Sequence, residues 1–243
     1  SVMGHGKEPP VEMWEAGFGV RAVKELSANG LLKKIIEKKA EKADIITGEH
    51  IIREFAKSPG AIIALSNFST SHTRFRDYLT RCMNVRYASM PLFDKDMLNG
   101  AMSADWGQVE ARTMRLVEKL SGADTVVITS HNGTSISFSM KDRQVQPDTG
   151  ILSKPGSFGN LPAGEAFLAP VEGTAEGTLV LEWAPTHKLK HPVELDVKGG
   201  RVVTVSGKDE LTKELQGLIA SNPLFGNIAE LGIGTNNKAA RPD

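Results

Sequence analysis

Two short apolar segments separated by a helical pattern constrain the fold of the first hundred residues. The run Gly60–Leu65 (GAIIAL) has no charged residue, which is typical of a strand buried in a parallel sheet. Phe75, Tyr78 and Leu79 then recur at helical spacing, and Val85–Met90 predicts the next strand. A strand, a crossover helix and a parallel strand form a right-handed β-α-β unit. We therefore expect an open, mostly parallel α/β sheet in this part of the chain.

The periodicity of the sequence changes in the second half. Thr125–Thr129 and Thr134–Met140 flank a His-Asn-Gly turn, which is a β-hairpin signal, and the second segment alternates serine with large apolar residues. We therefore predict an α/β fold class with two domains. Residues 1–104 form the open, mostly parallel α/β domain, and residues 105–243 form an α+β domain with a mixed or antiparallel sheet.

Composition excludes several classes of protein. The 243 residues include 29 Lys and Arg against 29 Asp and Glu, so the chain lacks the basic excess of an electrostatic nucleic-acid binder. No run approaches the ~20 apolar residues of a membrane span, so we expect no membrane partner. A lone cysteine, Cys82, excludes an internal disulfide and suits the reducing cytoplasm. Cys82 has no histidine nearby in sequence and is predicted to be a packing residue.

Two glutamates lie in similar glycine-rich surroundings. Glu165 is in FGNLPAGEAFLAP and Glu230 is in FGNIAELGIGTN, and both follow a Phe-Gly-Asn triplet. Desolvating a carboxylate among apolar residues is costly unless a cation or strong hydrogen-bond donors meet it. A bound divalent metal satisfies that requirement and also provides chemistry. The alternative for each residue is a glutamate that accepts hydrogen bonds from backbone amides in a loop.

Other candidate residues have simpler interpretations. Glu172, in a turn before a predicted strand, and His72, near a predicted helix start, are candidates to hydrogen-bond to the ligands of a metal site. A turn and a helix cap, respectively, explain them equally well. His187 and His191 have the i, i+4 spacing of metal ligands on a helix, but prolines bracket them, so no helix is expected there.

The motifs around both glutamates resemble a known family. Gly159–Glu182 and Gly226–Asn236 are similar to segments of the thermophilic metallo-aminopeptidases of the aminopeptidase T and leucyl aminopeptidase type. His131–Arg143, Ser66–Asp77 and Met90–Trp106 also resemble that family. The resemblance thus extends over roughly residues 60–236.

The resemblance implies a two-metal aminopeptidase that releases N-terminal amino acids from a peptide substrate with a metal-activated water. It implies that Glu165 and Glu230 are metal ligands, that two zinc, cobalt or manganese ions bind, and that the protein is a homodimer. No catalytic side chain is assigned. In the family, further ligands, including a His-x-Asp pair, follow the second glutamate, whereas here no histidine follows His191. We expect those ligands in a C-terminal segment beyond Asp243, and an inactive 243-residue chain.

Two alternatives stay open. One is an Fe(II) ring-cleaving enzyme of the dihydroxypyridine dioxygenase type, which resembles the peptidases but binds one iron through two histidines and a carboxylate. The other is a catalytically incomplete binding homologue. Retention of both Glu165 and Glu230 favours the peptidase.

Overall fold

A computed structural model describes residues 7–184 and 187–240, which form two compact units. One unit contains the described residues up to Trp106 together with Gly150–Ala163. The other contains Gly107–Thr149 and the described residues from Gly164 onward. The boundary predicted after residue 104 lies next to Trp106, but no sequence pattern indicated that the segment 150–163 returns to the first unit. The fold is α/β, as predicted, with one parallel and two antiparallel sheets.

The first half is mainly helical and contains two strands, and the second half consists mainly of strands. The helices are α1 (Val11–Phe18), α2 (Val20–Ala28), α3 (Leu31–Ile36), α4 (Lys42–Phe55), α5 (Arg74–Met83), α6 (Lys95–Asn99), α7 (Trp106–Leu120) and α8 (Glu210–Ser221). The strands are β1 (Ala61–Ser66), β2 (Arg86–Pro91), β3 (Thr125–Thr129), β4 (Ser135–Ser139), β5 (Gln146–Asp148), β6 (Phe158–Asn160), β7 (Glu165–Leu168), β8 (Glu176–Trp183), β9 (Lys188–Lys198), β10 (Arg201–Gly207) and β11 (Leu231–Gly234).

The first unit is built on a three-stranded parallel sheet in the order β1-β2-β6. The strands β1 and β2 flank α5 in sequence, so the predicted β-α-β unit is confirmed. Strand β6 belongs to the returning segment and pairs with β2 from Tyr87↔Phe158 to Ser89↔Asn160.

Gly19 separates the first two helices. The apolar positions from Val11 to Leu26 have the spacing of one continuous helix, whereas the structure has two helices, α1 and α2. Gly19 has φ +89°, a left-handed conformation that costs a glycine little and ends the first helix. The carbonyl of Phe18, freed by this break, accepts a hydrogen bond from the Lys57 amide (3.0 Å). Apolar periodicity does not report such a break, because both helices keep the same buried face.

The second unit contains two antiparallel sheets. One has five strands in the order β10-β9-β8-β4-β3, and the other has three in the order β11-β7-β5. The predicted alternation in β4 is confirmed, since Ile136 and Phe138 are buried together with the following Met140. Among the described residues, no helix is long and apolar enough to cross a membrane.

An aromatic cluster lies at the centre of the first unit. Trp14 is fully buried, and its ring lies 5.3 Å from that of Phe18, 5.4 Å from Phe75 and 6.4 Å from Tyr78, measured between centroids. The Phe75 ring also meets Tyr87 of β2, edge to face, at 6.3 Å. The cluster therefore joins α1 and α5 to the parallel sheet.

Replacing Trp14 with alanine tests this cluster. We expect Trp14→Ala to lower the free energy of unfolding by about 3–5 kcal/mol, because it removes a large buried side chain and leaves a cavity. Val20→Ala is the control, since Val20 is 51% exposed, and we expect it to change stability by no more than about 0.5 kcal/mol. Urea denaturation followed by circular dichroism measures both. Equal losses for the two variants would contradict the assigned core.

Candidate functional site

Glu165 is the first residue of β7, the central strand of the three-stranded antiparallel sheet. It is half-buried and lies between Gly234 of β11 and Asp148 of β5 in the sheet register. Residues directly opposite each other on antiparallel strands have β-carbons about 4.5–5.5 Å apart. The structure thus places two carboxylates, Asp148 and Glu165, side by side on one face of this sheet. Asp148 had no sequence signal, because the three-residue strand β5 is too short for a readable pattern.

The Glu165 side chain lies over a glycine of the neighbouring strand. A β-carbon at Gly232 would lie 2.6 Å from Glu165 Oε2, closer than real β-carbons approach other atoms. Gly232 is the diagonal neighbour of Glu165, two residues before its direct partner Gly234. The absent side chain at Gly232 therefore leaves the space that the carboxylate occupies.

Glu230 immediately precedes β11 and is exposed. Gly234, the partner of Glu165, lies four residues further along the chain, which corresponds to roughly 14 Å along the strand. Because the Glu165 carboxylate lies over Gly232, that gap is roughly halved, to two residues or roughly 7 Å. The structure therefore places both glutamates on one sheet, with Glu165 directed along β11 toward Glu230. Their role as metal ligands stays a prediction.

Helix α7 fixes the ends of β7 and β11 next to each other. The Thr235 amide donates to the Gly164 carbonyl (2.7 Å), while Arg112 Nε donates to the Thr235 carbonyl (2.9 Å). The hydroxyls of Thr113 and Thr235 lie 2.6 Å apart. Gly164 has φ +122°, and a β-carbon there would lie 2.9 Å from Val109 Cγ1. The glycine before Glu165 is thus required by both conformation and space.

The residues predicted to hydrogen-bond to metal ligands have other partners or positions. Glu172 is exposed and forms an ion pair with Arg143. A hydrogen bond from its own backbone N–H, and to a smaller extent the charge of Arg143, lowers the pKa of its carboxyl group. His72 is exposed and precedes Thr73, the residue that caps α5 by accepting a hydrogen bond from the Arg76 amide (3.2 Å). His191 lies in strand β9, so the expected absence of a helix there is confirmed.

The described residues do not by themselves fit a two-histidine, one-carboxylate iron centre. No group of three or more His, Cys, Asp or Glu residues close enough to hold a metal ion occurs within residues 7–184 and 187–240. The pair formed by Asp148 and Glu165 provides carboxylate oxygens only, whereas such a centre also requires imidazole nitrogens.

A buried polar network joins the loop at the carboxyl end of β1 to strand β2 in the first unit. The Thr70 amide donates to Ser89 Oγ (3.0 Å), and the Tyr87 hydroxyl donates to Thr70 Oγ1 (2.8 Å). Burial raises the pKa of Tyr87, so its hydroxyl stays a neutral donor. Open α/β sheets bind ligands at this edge. Here, however, the polar groups of Thr70, Tyr87 and Ser89 bond to one another, which supports a structural role for the Ser- and Thr-rich loop after β1.

Arg76 attaches the returning segment to this network. Its Nε donates to the Ser71 carbonyl (2.7 Å), and its guanidinium lies 3.8 Å from the centroid of the Phe158 ring. Ser71 Oγ in turn donates to Asn160 Oδ1 (2.7 Å). The single strand β6 thus receives a cation–π contact and a side-chain hydrogen bond in addition to its backbone pairing. Sequence periodicity indicated none of these contacts.

Cys82 is buried in α5, as predicted for a packing residue. Burial, followed by the charge of Glu49, raises the pKa of its thiol to about 11. A thiol of this kind is a poor nucleophile, because only the thiolate reacts.

The reactivity of Cys82 tests this assignment. With a pKa of about 11, about one thiol in a thousand is ionised at pH 8. We expect a disulfide reagent such as DTNB to label the native protein at least about 100-fold more slowly than the protein in urea. Similar rates in both conditions would show an accessible thiolate instead.

Alanine substitutions in β11 test the position of Glu165. Gly232→Ala places a methyl group where the carboxylate lies, so we expect it to displace Glu165 and to weaken any Mn(II) binding by this sheet about tenfold or more. Gly234→Ala is the matched control, because a β-carbon there meets nothing within 4 Å. Isothermal titration with Mn(II) measures both variants. Equal affinities would show that Glu165 is not a ligand.

Comparisons with known proteins identify the relatives of this chain. A family model described as NicX, 2,5-dihydroxypyridine 5,6-dioxygenase, matches residues 12–240. The structure of 2,5-dihydroxypyridine dioxygenase from Pseudomonas putida KT2440 is similar, with a TM-score of 0.61 and 17% identity, over 79% of this chain and 54% of that chain. This chain thus spans about half the length of that relative, and the likeness shows a common fold. No curated protein sequence matches.

The aminopeptidase assignment is wrong. The matching family model describes a dioxygenase, so the predicted hydrolase, aminopeptidase and protease activity is not supported, nor are two zinc, cobalt or manganese ions. Wild-type AmpT from Thermus thermophilus is structurally more distant, with a TM-score of 0.49 and 14% identity over 87% of this chain and 64% of that chain. The error has a physical origin. The motifs around Glu165 and Glu230 specify a strand pair with small residues beneath a carboxylate, and that backbone geometry does not determine which reaction follows.

Proposed function

Because the chain belongs to the NicX (2,5-dihydroxypyridine 5,6-dioxygenase) family, we propose that it acts in the oxidative opening of a dihydroxypyridine ring. The observation that carries this proposal is the family match over residues 12–240, which takes in both units of the chain. The similar fold of the Pseudomonas putida enzyme is consistent with it. The protein is thus proposed to be an oxidoreductase.

The proposed reaction adds both atoms of dioxygen to the substrate. Cleavage between carbons 5 and 6 places one oxygen atom on each, so that carbon 5, which already has a hydroxyl group, becomes a carboxyl group. Carbon 6, which is bonded to nitrogen, becomes a formyl group. The substrate is oxidised, dioxygen is reduced, and no further reductant is needed.

The family is metal-dependent, and we propose a single iron ion in place of the two ions first predicted. Iron would supply dioxygen activation when bound. Within the described residues, the closest approach to a ligand set is the carboxylate pair of Asp148 and Glu165, with Glu230 further along β11. A divalent cation would offset the repulsion between two neighbouring carboxylates. These three residues are therefore the ones to substitute first.

An oxygen-uptake assay tests the proposal. The full-length protein, supplied with Fe(II) and 2,5-dihydroxypyridine, should consume one dioxygen per ring lost, with the loss of the ring followed by ultraviolet absorbance. We expect Glu165→Gln to lower the rate by about 100-fold or more, as removal of a charged group in an active site does. Glu172→Gln is the control, because Glu172 belongs to an exposed ion pair.

The outcomes of this assay distinguish an active dioxygenase from a catalytically incomplete homologue. Ring loss without oxygen uptake, or no ring loss with Fe(II) present, would contradict a dioxygenase. Binding of 2,5-dihydroxypyridine without turnover would favour a catalytically incomplete homologue.

A further inference from the structure

The terminal strand β1 of the parallel sheet has an unusually apolar outer edge. It is an end strand in the order β1-β2-β6, and its sequence AIIALS contains no charged residue and no proline. Ile63 and Leu65 are 67% and 63% exposed. Natural edge strands usually carry a charge, a proline or a bulge that prevents pairing with another strand. Strand β1 has none of these in its six residues, and its ladder with β2 is regular throughout.

The backbone of β1 directs hydrogen-bonding groups to the same edge. The Gly60 carbonyl accepts from the Arg86 amide (3.2 Å) and the Ser66 carbonyl accepts from the Leu92 amide (2.8 Å), so the even-numbered residues face β2. Because successive residues of a strand alternate in direction, the N–H and C=O groups of Ile63 and Leu65 point away from β2. The same two residues thus present their backbone groups at the edge of the sheet and their side chains on the face opposite Ala64.

We propose that β1 pairs antiparallel with β1 of a second copy of this chain, about a twofold axis at Ala64. In this register Ile63 lies opposite the partner's Leu65, and Leu65 lies opposite the partner's Ile63. Both pairs are of the hydrogen-bonded kind, in which two residues exchange two N–H···O bonds. A pairing centred on Ile63 would instead require a hydrogen bond from the Ala61 amide. That amide already donates to the Pro59 carbonyl (2.8 Å), so the register centred on Ala64 is favoured.

The absence of charge favours a second copy as the occupant. A twofold contact brings each side chain close to its own copy, so any charge on the strand would meet a like charge. The segment from Pro59 to Asn67 contains no charged residue, so no such repulsion arises. A single strand pair buries less than the ~1,600 Å² of a typical stable interface. We therefore expect a weak dimer whose population rises with protein concentration.

Sedimentation equilibrium of the chain and two lysine variants tests the proposal. We expect the unmodified chain to fit a monomer–dimer equilibrium. We expect Ile63→Lys to weaken association at least tenfold, because each ammonium group would replace an apolar contact with the partner's Leu65 and would lie diagonally across the axis from the other ammonium group. Since Ile63 is 67% exposed, this change leaves the core of the monomer intact. Val127→Lys is the matched control. Val127 is 68% exposed on β3, the terminal strand of the five-stranded sheet, and shares one face of that strand with the exposed Thr125 and Thr129.

Hydrogen exchange at the Ile63 and Leu65 amides shows whether the strand edge itself pairs. We expect both amides to become protected as the dimer forms and to exchange freely in Ile63→Lys. A chain that is monomeric at every concentration overturns the proposal. If its amides are protected, a strand within the same polypeptide covers the edge instead. A dimer with unprotected amides, or a loss of association in Val127→Lys alone, places the interface elsewhere and also overturns it. A series of larger oligomers overturns the closed twofold pairing.

Discussion

The candidate site depends on the central position of β7 in its three-stranded sheet. Because β7 pairs with β5 on one side and β11 on the other, its first residue lies between an aspartate and a glycine that are distant in sequence. Glu165 then occupies the space above Gly232. The hydrogen bonds from Arg112 and Thr235 to the ends of these strands fix that arrangement. A carboxylate held in this way needs little further ordering to bind a ligand, which is the usual condition for an effective site.

Aromatic packing stabilises the first unit. Trp14, Phe75 and Tyr87 pack against one another and attach the helices to one face of the parallel sheet. The Arg76 guanidinium and the Ser71 hydroxyl then secure the strand β6, which returns from the middle of the chain. The largest group of buried residues in this unit packs on that face, whereas two apolar residues of the edge strand β1 are exposed. Parallel sheets are normally covered on both faces and seldom end in such a strand, so this edge is the part of the unit most suited to association.

Sequence reasoning succeeded where a residue pattern has one structural solution. The β-α-β unit around α5 and the alternation in β4 followed from spacing alone, because each pattern buries one face only in that structure. The same reasoning selected Glu165 and Glu230 but missed Asp148, since a three-residue strand has no period to read. It also assigned the wrong family. A motif that reports backbone geometry and a carboxylate is compatible with hydrolysis and with oxygen chemistry, and only the match over residues 12–240 separated them.

The sequence by itself determined the fold class, the packing role of Cys82 and the choice of two glutamates worth testing. These depend on local spacing and on the cost of burying charge, both of which act within short segments. The tertiary structure decided which strands are neighbours: that Asp148 lies beside Glu165, that Gly232 lies beneath it, and that β6 joins the first unit. Strand pairing is a contact between segments far apart in the chain, and the register that brings two side chains together is set by the packing of the whole unit.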